Sequence, residues 1–187
     1  LTLGIGSATL GLAIFALLGV LRPAYARPET LSASQVESRT RSANLRFGES
    51  IQLVGHELSH HRTQPGGQIN VTLCWEALAP TREDYVYFVH LLGPRETIVG
   101  ARTTHPGLGR YPTSRWSRGD RFCDVIDVLV DEKTPAPAVY DVQIGWHEPG
   151  NTETLEAYAP DGSKIELVLL DRVKVAGATY PSISVPS

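Results

Sequence analysis

The chain has 187 residues, with 17 Lys and Arg against 20 Asp and Glu, for a net charge of −3. That length holds one domain with a real core plus a segment or two, and the charge balance supplies no basic field for nucleic acid. Two cysteines, Cys74 and Cys123, are too few for a disulfide framework or a four-ligand zinc site.

Residues 1–21, LTLGIGSATLGLAIFALLGVL, carry no charge. As a helix rising about 1.5 Å per residue they span about 31 Å, the thickness of a bilayer's hydrocarbon core. One N-terminal transmembrane helix is therefore expected over 1–21. Gly4, Ser7, Ala8 and Gly11 fall on one stripe of it, the small-residue face by which membrane helices pack closely; ordinary membrane composition accounts for the same residues. Ala24-Tyr25-Ala26 has the form of a signal-peptide cleavage site, but the apolar run is too long for one and no basic region precedes it. Residues 22–46 are polar, interrupted by Pro23 and Pro28, and read as a linker or short stalk helix.

Beyond that point the period changes to two. In QINVTLCWEAL, Ile69, Val71, Leu73, Trp75 and Ala77 alternate with polar neighbours. DYVYFVHLL is a β-branched and aromatic run, and TIVGART, RFCDVIDVLV, AVYDVQIGWH, TLEAY and KIELVLLDRVKV follow. Turn clusters such as TQPGG, GPRE, HPGLGRYPTS, DEKTPAP, EPGNTE and APDGS separate them. The pattern predicts an all-β fold, an antiparallel β-sandwich of jelly-roll or immunoglobulin-like type, over 47–177, with a short tail over 178–187.

HELSH, from His56 to His60, matches the zinc-protease motif H-E-x-x-H, in which two histidines on a helix hold zinc and the glutamate activates water. Here SIQLVGHEL alternates like a strand and TQPGG follows at once. On a strand His56 and His60 stand about 13 Å apart and cannot share one ion. No metal or other cofactor is expected. G-x-S-x-G and Gly-rich phosphate loops are missing from the sequence as well, and no catalytic activity is expected.

LRPAYARP, ANLRFGESIQLVGHELS, QPGGQINVTLCWEAL, DYVYFVHLL, YPTSRWSRGD and AVYDVQIGWHEPG occur in this order. Together they resemble the C-terminal part of bacterial membrane glycosyltransferases of the polyprenol-phosphate-sugar, mannosyltransferase-like superfamily, across about residues 1–175. In that family a last transmembrane helix ending in a Pro-Ala-Tyr-Ala-type motif precedes an extracytoplasmic β-sandwich. The family tends to have Tyr-Asp where this chain has His56-Glu57. Its catalytic carboxylate lies in an early loop that has no counterpart here, so no catalytic residue is carried over. The resemblance implies an accessory sandwich outside a bacterial cell membrane, anchored by a single pass. Arg22 and Arg27, by the positive-inside rule, argue for the opposite orientation.

Two functions fit this reading. In the first, the chain is a non-catalytic accessory or assembly subunit whose N-terminal helix packs on integral membrane subunits within the lipid bilayer. In the second, it is the carbohydrate-binding or substrate-guiding domain of a membrane glycosyltransferase, with a glycan as ligand. For the second, Tyr111 and Trp116 in the loop YPTSRWSRGD are the candidate sugar-stacking or partner surface, although the same loop also reads as a structural clasp.

A disulfide between Cys74 and Cys123 is a further expectation. Cys74 falls opposite the face of Trp75, and Cys123 shares its side with Asp127. If their strands are antiparallel neighbours the two residues oppose each other within bonding range. Two unpaired thiols in a cytoplasmic domain are the alternative.

Overall fold

The alternating stretches form strands that pair into two sheets facing each other across an apolar core. The computed structural model describes residues 27–177. The membrane helix expected over 1–21, with Gly4, Ser7, Ala8 and Gly11, and the tail over 178–187 lie outside the described residues. Among the described residues no helix is long and apolar enough to cross a membrane.

In chain order the elements are α1 (Ala33–Glu37), β1 (Arg41–Phe47), β2 (Ile51–Leu58), β3 (Arg62–Thr63), β4 (Gln68–Ala77), β5 (Val86–Leu92) and β6 (Ile98–Thr104). After them come β7 (Arg121–Leu129), β8 (Ala138–His147), β9 (Ala157–Tyr158), β10 (Lys164–Ile165) and β11 (Val168–Val175). One sheet has the order β10-β9-β1-β2-β4-β7, and the other β3-β11-β8-β5-β6. Every pairing is antiparallel except β3 with β11.

The core is aromatic at its centre. Trp75 on β4 lies 5.2 Å from Tyr87 on β5, 4.8 Å from Trp146 on β8 and 6.2 Å from Phe47 on β1, centroid to centroid. These edge-on and tilted arrangements suit the ring quadrupole and add to the burial of large apolar area. The inner faces of β4, β5 and β8 supply most of the remainder, through Ile69, Val71, Leu73, Val89, Leu91, Val142 and Ile144.

In the described part of the linker or short stalk helix expected over 22–46, residues 33–37 are a short helix, and the departure is a strand that begins at Arg41. Ser32 and Gln35 form a capping box that starts α1, satisfying backbone donors at both ends of the turn. Leu31 and Val36 are buried against the outer side of the six-stranded sheet. β1 then begins at Arg41. Its alternation is illegible because the register slips between Ser42 and Leu45, where Asn44 takes a left-handed φ of 52°.

A second bulge, in β2, decides the fate of HELSH. Leu53 faces Trp75 and Gly55 faces Cys74, so Val54 is an extra residue. The inserted residue inverts the alternation, and His56, opposite Leu73, turns into the interior edge and is 8 % exposed.

Candidate functional site

β5 is buried on both of its faces. Tyr87, Val89 and Leu91 point into the core, so Phe88, His90 and Leu92 lie on the outer side of the five-stranded sheet, where an antiparallel sandwich commonly meets water. Glu96, Ile98, residues 151–156 and Leu167 wall that outer side into a groove.

The floor of the groove is set by the β5–β8 register, which places Phe88 opposite Gly145 and His90 opposite Gln143. A Cβ at Gly145 would run into Phe88 Cζ, so the glycine is what lets the phenyl ring lie over β8. The Phe88 and His90 rings stack with centroids 4.3 Å apart and planes at 24°, and the His147 ring is 6.1 Å from Phe88. Gln143 Oε1 is 3.4 Å from His90 Nδ1. Burial depresses the His90 imidazole below its ordinary value, Gln143 opposes that shift and His147 adds to it, so the ring is mainly neutral near pH 7.

Two hollows adjoin across Phe88, Gln143 and Thr154. One, of about 380 Å³, runs between Glu96, Thr103 and Asn151; the other, of about 200 Å³, runs between Glu153, Glu156 and Lys164. Flat rings and apolar side chains at the base, with amides, hydroxyls and carboxylates at the rim, are the composition of a small-ligand site.

Inside the sandwich lies a buried carboxylate that the groove does not use. Asp124 on β7 is 4 % exposed. Its Oδ2 accepts the Tyr87 hydroxyl at 2.9 Å and the Gly107 amide at 3.0 Å. Burial raises it from 3.8 to about 6, against the pull of the two donors and of Arg110. The pattern in RFCDVIDVLV marks this residue, since Asp124 shares its parity with Phe122, Ile126 and Val128. It ties the 105–111 loop to the core and is positional in role.

The residues singled out from the sequence fall elsewhere. Tyr111 and Trp116 are 3 % and 4 % exposed, so they are not a stacking platform. Trp116 Nε1 donates to the Tyr111 carbonyl at 2.9 Å, the Tyr111 hydroxyl donates to Asp120, and the Trp116 ring reaches Trp146 at 6.0 Å. Loop YPTSRWSRGD is a clasp, held because its two rings bury more area against the core than they could against solvent. Arg27 closes it from outside, 5.0 Å over the Tyr111 ring.

His56 and His60 do not converge. His56 turns inward, while His60 bonds Ser59 Oγ at 2.8 Å and the Gln68 carbonyl at 3.0 Å. Among the described residues no three His, Cys, Asp or Glu side chains are grouped to hold a metal ion.

Cys74 and Cys123 face each other in the β4–β7 ladder and are joined by a disulfide, with Cα atoms 4.0 Å apart. Cys74 lies opposite Trp75's face, yet that side is not open to water there: Leu31 and Val36 cover it.

No protein-family model and no curated protein matches the chain. Among solved structures it is similar to the C-terminal domain of wzt. The TM-score is 0.43 and the identity 13 %, over 84 % of this chain and 85 % of that one. The functional reading rests on the groove.

The groove was missed in the sequence because its parts come from β5, β8 and two loops. One signal pointed at it. Val86–Leu92 does not alternate, and a run that is apolar or aromatic except at His90 belongs to a strand covered on both faces.

Proposed function

We propose that the chain is a non-catalytic glycan-binding β-sandwich module, tethered to a bacterial membrane by residues 1–21 with the sandwich on the extracytoplasmic side. The observation that carries the reading is the outer groove of the five-stranded sheet. There the half-buried His90 ring, stacked on the buried Phe88, offers a flat face, and Gln143, Thr103, Asn151 and Thr154 surround it with donors and acceptors. A pyranose has the matching chemistry, an apolar C–H face and a rim of hydroxyls. Loss of the Tyr111–Trp116 surface leaves the carbohydrate reading on different residues.

The test is binding to a panel of immobilised oligosaccharides, with calorimetry on any that are retained. His90→Ala and Gln143→Ala should each abolish binding while leaving the melting temperature unchanged. A chain that retains no saccharide, or variants that bind as the parent does, would reject the reading.

A second reading, an accessory subunit of a membrane complex, is favoured by the outer face of β7. Val125 is 54 % exposed and Leu129 65 % exposed on that strand, at the edge of the six-stranded sheet. If that face docks on a membrane partner, Val125→Glu with Leu129→Glu should release the partner during co-purification and leave saccharide binding intact.

A further inference from the structure

We infer that the groove selects an amine-bearing saccharide, an amino sugar with a free ammonium group, over neutral or acidic ones; this rests on the glycan-binding reading above. The charges lining the two hollows are four carboxylates, Glu96, Glu153, Glu156 and Glu166, against one ammonium, Lys164. Lys164 is already engaged, with Nζ 3.1 Å from Glu156 and 3.8 Å from Glu166. Glu96 and Glu153 have no basic side chain within ion-pair distance among the described residues. Each belongs to a different hollow, and Glu153 stands between Thr152 and Thr154, which line the larger one.

That arrangement discriminates by sign. A uronate or phosphate entering the groove meets like charge on several sides and gains no cation that is not already paired. An ammonium meets unpaired carboxylates at the rim. The His90 imidazole does not cancel the preference, since burial lowers it below its ordinary value and keeps it mainly neutral near pH 7. The sugar ring supplies the stacking surface, and the amine supplies the selection.

The experiment titrates the full chain in detergent near pH 7 with four probes: a chitosan tetramer, its fully N-acetylated counterpart, a galacturonate tetramer and a tetralysine peptide. The chitosan tetramer should bind about two- to fivefold tighter than the acetylated one, as expected for one solvent-exposed ion pair. The galacturonate tetramer should not bind, and added salt should narrow the difference between the two neutral-backbone probes. The double substitution Glu96→Gln with Glu153→Gln should bring chitosan binding down to that of the acetylated tetramer and leave the latter unchanged. Equal affinity for the acetylated and free-amine tetramers overturns the inference but keeps the glycan reading. Preference for galacturonate does the same. Tetralysine binding as tightly as chitosan also overturns it, because the groove is then a cation exchanger. Binding of none of the three saccharides removes both readings together.

Discussion

The Tyr87 hydroxyl donates to Asp124 Oδ2 at 2.9 Å between the two sheets, pinning the centre of β5 in one sheet to β7 in the other. Gly107 N shares the same oxygen at 3.0 Å, so one carboxylate also anchors the 105–111 loop. At Gly107 the backbone φ is +64° and a Cβ would press on Tyr111, which makes glycine the residue that allows this approach.

The buried carboxylate makes stability depend on pH. Asp124 is raised from 3.8 to about 6 in the folded chain, so between those values the folded state holds the proton more firmly than the unfolded one. Stability contributed by this group is present below 3.8 and is lost as pH rises to about 6. The difference corresponds to about 3 kcal/mol. Asp124→Asn, which cannot titrate, should remove that slope. Urea midpoints of parent and variant compared from acid to neutral pH check it, and identical pH profiles would refute the assignment.

His56 acts in the opposite sense. Burial first, then Arg41, lower its imidazole below 6.5, while Asp171 and Glu57 pull the other way. A folded value below the unfolded one makes the unfolded chain take the proton more readily, so stability falls as pH drops below 6.5. His56→Leu, a buried apolar side chain in place of an imidazole whose two nitrogens lack hydrogen-bond partners, should flatten this loss. The same variant should leave metal content unchanged; stoichiometric zinc in the parent that disappears on substitution would restore the H-E-x-x-H reading.

Trp116→Ala should cost about 3–5 kcal/mol, as expected for a large aromatic removed from a packed core, because Trp116 lies against Phe122 at 5.1 Å and Trp146 at 6.0 Å. Calorimetric melting measures it. A variant with unchanged melting but lost saccharide binding would reinstate the loop as a ligand surface.

Gly145→Ala should drive the Phe88 ring off β8 and cost about 1–3 kcal/mol, the usual penalty of overpacking. Saccharide affinity should fall with it, since Phe88 is the floor of the groove. An alanine variant with parental melting and parental affinity would show that the close approach of Phe88 to Gly145 has no consequence.

Reduction of the Cys74–Cys123 bridge, or Cys74→Ala with Cys123→Ala, should cost about 2–4 kcal/mol; the bridge closes a separation of 49 residues. Mass spectrometry of unreduced peptides should recover the two cysteines linked. Both thiols found alkylatable without reductant would count against the bridge and against an oxidising, extracytoplasmic location.

Alternation in QINVTLCWEAL and AVYDVQIGWH is enough to predict a sandwich and to put Trp75 and Trp146 in its core. A strand's side-chain period is two, and burying one face therefore leaves a direct trace in the order of residues. The same rule puts Asp124 inside and Cys74 opposite Trp75. Where the rule is locally suspended, only the folded chain decides. The bulges at Asn44 and Val54 each insert a residue, hiding β1 and turning His56 inward. Tyr111 and Trp116 lie in a loop without period, and packing against Phe122 rather than any pattern buries them. The groove needs Phe88, Gln143 and Thr154 side by side. That neighbourhood comes from the pairing of β5 with β8 and from a loop laid across them, and pairing between distant segments is a property of register and sheet order that residue-by-residue periodicity does not encode.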